Sequence, residues 1–251
     1  MIMSTSKSKM KIFVFILFFL PFCQVNASVV LKNTRVIYPA EKNEHTIQFS
    51  NNDAYPNIVQ IWVDEGDEKS TPKTADSSFV IMPPIFKVNA NGGQSARILY
   101  TGEPLAQDRE SIFYLNFLVI PPNIESDSNR LSIVLRNRVK LFYRPNGIAG
   151  PPSEAIEKVT VQLGYERSGK LSSVTLNNRS GYFINLSRWS LTVDNEKYVF
   201  GPAMVEPFND LLVESYLEKS ISPEQENIDM FNYVYINDFG AQVSGSLEIA
   251  D

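Results

Sequence analysis

The 251-residue sequence has one cysteine, one histidine and, after its first 27 residues, no long apolar run. Each scarcity excludes a class of protein. Cys23 is the sole thiol and lies inside the leader described below, so the rest of the chain has neither a disulfide nor a thiolate metal site. His45 is the sole imidazole, in the turn-like stretch EKNEHT. It cannot serve both a nucleophile–base pair and a metal set, so no catalytic residue, no metal ligand and no cofactor is expected. Without a second apolar run there is no membrane anchor. Positive charge is also short. The chain has 23 Lys+Arg and 28 Asp+Glu; the leader carries three lysines and no acid, leaving 20 − 28 = −8. That balance argues against a nucleic-acid partner. Gly92-Gly93 lacks the strand–loop–helix setting of a phosphate cradle and reads as a hairpin. Asp64 and Glu65 lie in the polar run DEGDEKS, which reads as a solvated loop rather than a carboxylate pair. Asn178-Arg179-Ser180 and Asn185-Leu186-Ser187 match the glycosylation sequon, a three-residue pattern that arises by chance.

What is present begins with a secretory leader. Lys7, Lys9 and Lys11 precede the apolar segment 12–22, and Val25-Asn26-Ala27 supplies small residues for cleavage. Residues 1–27 are therefore predicted to be a cleavable signal peptide, with the mature chain starting at Ser28 and exported. Pro21 and Phe22 precede Cys23 where a lipid-attachment site would have small residues. The remaining chain is long enough for two cores of roughly 100 residues each.

The mature sequence is a series of short apolar or alternating runs separated by turn clusters. Strands are predicted over 29–38, 46–51, 58–64, 79–82, 96–101, 112–120 and 131–143, a count and spacing that fit an antiparallel sandwich. The 112–120 run is apolar on both parities except at Asn116, as suits a strand buried on both faces. Trp62, mid-strand, is expected in the core. Pro145-Asn146-Gly147 to Gly150-Pro151-Pro152 stops helices and ladders alike and marks a boundary. A helical turn is expected over 153–158. Further strands are predicted over 159–162, 171–177, 182–193, 198–200, 211–218, 232–237 and 242–249. The expectation is an all-β protein: signal peptide 1–27, first sandwich 28–147, linker 148–152, second sandwich 153–251.

The stretch 130–145, RLSIVLRNRVKLFYRP, is the most informative. Leu131, Ile133, Leu135, Val139 and Leu141 share one parity, and Arg130, Arg136, Arg138 and Lys140 share the other. Period-two alternation gives a strand with two chemically different faces. Such a strand can offer an apolar ladder beside a fixed positive site. It can equally be an edge strand whose cations deter aggregation.

Taken together, several motifs resemble one family, the periplasmic PapD-like chaperones of pilus (fimbria) assembly. They are Thr34-Arg35-Val36-Ile37-Tyr38-Pro39, Asn51-Asn52, IVQIWVD at 58–64 and Met82-Pro83-Pro84-Ile85-Phe86. Gln107-Asp108-Arg109-Glu110-Ser111, Phe113-Tyr114-Leu115-Asn116, Ile120-Pro121-Pro122 and Lys140-Leu141-Phe142-Tyr143-Arg144-Pro145 follow. Met204-Val205-Glu206-Pro207-Phe208 and Ile236-Asn237-Asp238-Phe239-Gly240 extend the likeness into the second half.

The resemblance implies two immunoglobulin-like domains in a boomerang arrangement. It implies a non-enzymatic periplasmic chaperone that lends a strand to pilus subunits and delivers them to an outer-membrane usher. On the matching positions, Arg35 and Lys140 would anchor the subunit's C-terminal carboxylate. Leu131, Ile133 and Leu135 would be the donor residues. Glu110, Arg144 and Asp238 would bridge the domains. The short segment from Pro122 to Leu131 and the lack of a cysteine pair resemble the short-loop branch. The tail 241–251 departs from the family's usual ending. The competing reading is a secreted structural pilus subunit or adhesin; a carbohydrate-binding module is a more distant third.

Overall fold

The computed structural model describes residues 28–122, 134–165, 171–193, 196–214 and 228–247; the predicted signal peptide lies outside them. The first half forms strands β1 (Val29–Leu31), β2 (Arg35–Pro39), β3 (Glu44–Asn51), β4 (Asn57–Asp64) and β5 (Phe79–Met82). It continues with β6 (Ile85–Val88), β7 (Gly93–Tyr100), β8 (Ser111–Ile120) and β9 (Leu135–Arg144). These assort into a sheet ordered β1-β3-β7-β5 and a sheet ordered β2-β9-β8-β4-β6. Alternation builds the core between them. Phe113, Leu115, Phe117 and Val119 of β8 point inward and meet Phe49, Phe79, Ile98 and Leu141, all buried. Phe79 packs edge-on against Phe113 at 4.8 Å and Tyr38 at 5.1 Å, the geometry aromatic quadrupoles favour.

The second half forms a 3-10 helix (Pro152–Lys158) and strands β10 (Val159–Tyr165), β11 (Leu171–Asn178), β12 (Ile184–Val193) and β13 (Glu196–Phe200). It ends with β14 (Ala203–Val205), β15 (Asp210–Glu214), β16 (Ile228–Ile236) and β17 (Gln242–Leu247). One sheet runs β10-β11-β15 and the other β13-β12-β16-β17, with β14 also paired to β12. Trp189, stacked on Phe200 at 3.9 Å, centres a core with Val174, Leu176, Leu191 and Phe231. The protein is an all-β pair of immunoglobulin-like sandwiches.

Five local readings need correction. The run 29–38 is two strands: β1 pairs antiparallel with β3, and β2 pairs parallel with β9 in the opposite sheet. Alternation specifies faces, not partners, so it cannot reveal a strand that changes sheet. Strand β6 was hidden behind Pro83-Pro84, which reads as a turn. Trp62 is buried, but under Arg136 on the outer sheet face, with its indole N–H donating to Ser70 Oγ at 3.1 Å. Asp64 is not solvated: it ends β4 at 1% exposure, whereas Glu65 is exposed. Strand β8 is fully buried on one face only; on the outer face Ile112, Tyr114 and Leu118 are half-buried, while Asn116 is buried in polar contacts.

The sandwiches touch through backbone. The Glu110 N–H donates to Gly181 O at 2.8 Å. A Cβ on Gly181 would stand 2.6 Å from Asp108 O and 2.8 Å from Ile148 Cγ2, and one on Gly147 would collide with Gln107 O. Two glycines thus let the 107–109 backbone thread between the linker and the second sandwich.

Candidate functional site

Strand β2 takes its seat on the C-terminal half of β9. The parallel register pairs Arg35 with Lys140, Val36 with Leu141, Ile37 with Phe142, Tyr38 with Tyr143 and Pro39 with Arg144. Residues far apart in sequence therefore place two cations side by side on one ladder. Arg35 is 8% exposed; its Nη1 donates to Ile236 O at 3.0 Å, and its Nε is buried with no hydrogen-bond partner. Lys140 Nζ donates to Asn185 Oδ1 at 2.6 Å. Neither cation has a carboxylate in salt-bridge contact among the described residues.

Such a pair is electrostatically unsettled. Burial pushes the Arg35 guanidinium below its ordinary value, against the opposing fields of Asp238 and Glu110. Burial, and then the charge of Arg35, pushes the Lys140 ammonium down as well. Both side chains reach across to the second sandwich, at Ile236 O and Asn185, and a carboxylate arriving beside them would relieve both penalties. Arg35 also lines a cavity of about 260 Å³ with Ile37, Phe142, Phe183 and Asn185.

The three other charges line the same cavity. Arg144 Nε donates to Glu110 Oε1 at 2.8 Å, and its Nη2 lies 2.7 Å from the same oxygen. Its Nη1 and Nη2 donate to the two Asp238 oxygens at 2.6 and 2.8 Å. Glu110 Oε2 accepts from the Phe183 N–H at 2.9 Å. The planar guanidinium fork thus spans a carboxylate of the first sandwich and one of the second. Burial pushes the Glu110 carboxyl above its usual range, against the pull of Arg144. For Arg144, burial works against the charge, but hydrogen bonding to Asp238 and the field of Glu110 outweigh it and hold the group above its ordinary value.

Of the donor residues, Leu131 and Ile133 lie outside the described residues. Leu135 opens β9 at 65% exposure. Among the described residues, β9 is laddered from Leu135 to Val139 to β8 on one side only, because β2 pairs with 140–144. The result is a free strand edge that runs into the Arg35–Lys140 pair.

Sequence reasoning missed the groups that orient these side chains. Asn185, Ile236 O and the Phe183 N–H hold Lys140, Arg35 and Glu110 respectively. Two are backbone groups, which carry no side-chain signal, and Asn185 drew notice only as a sequon. Asn178, the other sequon asparagine, is fully buried and donates to Tyr182 O and Glu206 O. Among the described residues no cluster of His, Cys, Asp and Glu could hold a metal ion, and no helix is long and apolar enough to cross a membrane.

Comparison with known proteins places both sandwiches in one family. Residues 28–149 match the model of the "Pili and flagellar-assembly chaperone, PapD N-terminal domain", and 154–247 match the "Pili assembly chaperone PapD, C-terminal domain". The chaperone protein HifB of Haemophilus influenzae is 34% identical over 249 residues, covering 96% of this chain and 97% of its own. The crystallised YadV chaperone superposes with a TM-score of 0.73 at 28% identity, over 89% of this chain and 100% of its own. A chain of the Salmonella enterica SafA pilin–SafB chaperone complex gives a TM-score of 0.70 at 25% identity, over 89% of this chain and 97% of its own.

Proposed function

The chain belongs to the PapD family of pilus-assembly chaperones, and we propose that it works in the periplasm by lending the β9 edge to an incomplete pilus subunit. One observation carries the reading: among the described residues, an edge with a single ladder, Leu135–Val139, ends at two adjacent cations lacking a carboxylate in salt-bridge contact. Added backbone hydrogen bonds give affinity, and alternate side chains enter the subunit's open core. Leu131, Ile133 and Leu135 supply those side chains. A ladder alone does not fix register, since a two-residue slip presents the same face. Arg35 and Lys140 remove that ambiguity by clamping the subunit's terminal carboxylate. Two charge-assisted contacts contribute about 1.5–3 kcal/mol each, and each inserted aliphatic side chain contributes about 1.5–3 kcal/mol.

Glu110, Arg144 and Asp238 hold the two sandwiches at the angle that forms the cleft. After capture, the subunit passes to an outer-membrane usher, and the next subunit's N-terminal extension replaces the chaperone strand. Residues 1–27 are the export signal. Neither catalysis nor a cofactor enters this mechanism.

Co-expression with a fimbrial subunit from the same organism tests the proposal. The wild type should co-purify as a 1:1 complex. Arg35→Ala with Lys140→Ala should leave a folded chaperone, by circular dichroism, that retains no subunit. A wild type that polymerises by itself, or a double variant that still holds the subunit, refutes it.

A further inference from the structure

The outer face of β9 carries two arginines that a carboxylate clamp does not use. Both converge on Asp64. Its Oδ1 accepts from Arg138 Nη2 at 2.8 Å and from the Gly66 N–H at 2.8 Å. Its Oδ2 accepts from Ser70 Oγ at 2.7 Å and Asn116 Nδ2 at 2.6 Å, with Arg136 Nη2 at 3.6 Å. Asn116 Oδ1 accepts from Arg136 Nε at 3.1 Å and Nη2 at 2.7 Å. Arg136 Nη1 reaches Glu68 O at 2.7 Å. The guanidinium of Arg136 lies 5.1 Å from the Trp62 ring centroid, and that of Arg138 lies 4.1 Å from the Tyr114 centroid. One buried carboxylate therefore ties β4, β8, β9 and the 66–70 loop together.

This network sits where the sandwich core gives β9 no hold. On the inner parity, Leu141 is buried and Val139 packs against the core, but Leu135 and Asn137 are exposed. Among the described residues, the strand between 135 and 138 is held by one ladder, to β8, and by its two outward arginines. A strand with one ladder and no buried face is prone to fray and slip. Fixing the side chains at 136 and 138 on the outer face forces those at 135 and 137 to the other.

We propose that Asp64 is a positioning residue for strand donation: through Arg136 and Arg138 it keeps the 135–139 edge extended and in register while the chaperone is empty. The role rests on the strand-donation reading above and adds to it the device that preforms the donor. A preformed edge loses less freedom at capture, so its benefit falls on association. In the complex the same segment gains a second ladder, and dissociation depends on Asp64 far less.

Asp64→Asn keeps the shape, removes the charge and turns an amide N–H₂ toward existing donors. Hydrogen exchange on the free variant should show the 135–139 amides opening about tenfold faster, with those of β3 and β7 unchanged. A denaturant-unfolded fimbrial subunit diluted into the variant should associate about fivefold more slowly, with dissociation within about twofold of wild type. Arg138→Gln, which leaves Asp64 its other donors, should show the same pattern more weakly and covers a failure of Asp64→Asn to fold. A uniform rise in exchange across β3, β7 and β9, or a loss confined to dissociation, overturns the proposal. If the wild type captures no subunit, the strand-donation reading falls, and exchange alone decides whether Asp64 orders this edge.

Discussion

Arg144→Ala should separate the two sandwiches in a pH-dependent way. In the wild type, Arg144 contacts Glu110 at 2.7–2.8 Å and Asp238 at 2.6–2.8 Å. The two acids do not weigh equally: the Glu110 side chain is 3% exposed and that of Asp238 35%. Removing the arginine leaves Glu110 buried with only the Phe183 N–H as a partner. Stranding a buried charge in this way costs about 3–5 kcal/mol, while the half-exposed Asp238 adds about 0–1 kcal/mol. Glu110 can escape by taking a proton. Burial already raises its folded pKa, and losing Arg144 raises it further. An acid whose folded pKa lies above its unfolded value retains its full stability below the unfolded pKa and loses it as pH climbs through the folded one. The gap between variant and wild type should therefore be small near pH 4, about the ordinary glutamate value, and widest above neutrality. Calorimetric melts from about pH 4 to pH 8 would read it. The variant should also melt in two transitions and give a broader scattering envelope, because the contact it loses joins the sandwiches. Adding Glu110→Gln should restore most of the lost stability at high pH. A pH-independent gap, no rescue by the second change, or a single transition with the wild-type envelope would refute the reasoning.

Two further outcomes test the clamp and the packing of the sandwiches. A bound carboxylate favours charged Lys140, whose ammonium burial holds below its ordinary value. Subunit affinity should thus be flat near neutrality and fall as pH rises through that lowered value, and Lys140→Arg should abolish the fall; titration calorimetry showing a wild-type affinity unchanged up to about pH 10.4 would sink this. Gly181→Ala should drive its Cβ into Asp108 O and Ile148, at 2.6 and 2.8 Å, and widen the angle between sandwiches that each melt normally; an unaltered scattering curve would show that the contact yields without consequence.

Legibility in the sequence followed the range of the physics. Period-two alternation is local, so most strands could be read directly, with β9 the plainest. Partner choice is not local: nothing in 29–38 announces that three exposed residues carry the chain from one sheet to the other. The proposed clamp needs Arg35 and Lys140 in register, which the parallel seat of β2 supplies. The two residues were singled out through motif resemblance rather than through periodicity. Asp64 was misread because its partners Arg138 and Asn116 lie 74 and 52 positions away, while the residues that follow it are acidic and polar. The bridge between sandwiches spans 94 positions from Arg144 to Asp238 and leaves no local trace.

On the strand-donation reading, the seat of β2 on β9 would act as an end stop. A guest strand laid along 135–139 with its carboxyl end toward Lys140 must run parallel to β9, as β2 does. At residue 140 it meets β2 already in the ladder. A continuing chain would have to leave the plane of the sheet, breaking its hydrogen bonds as it turned away. A chain that terminates there needs no exit and delivers its carboxylate to the two cations. The strand order thus works as a ruler whose zero mark is a polypeptide terminus. On that reading it would distinguish the final strand of a guest from an internal strand of similar sequence before any side chain is compared.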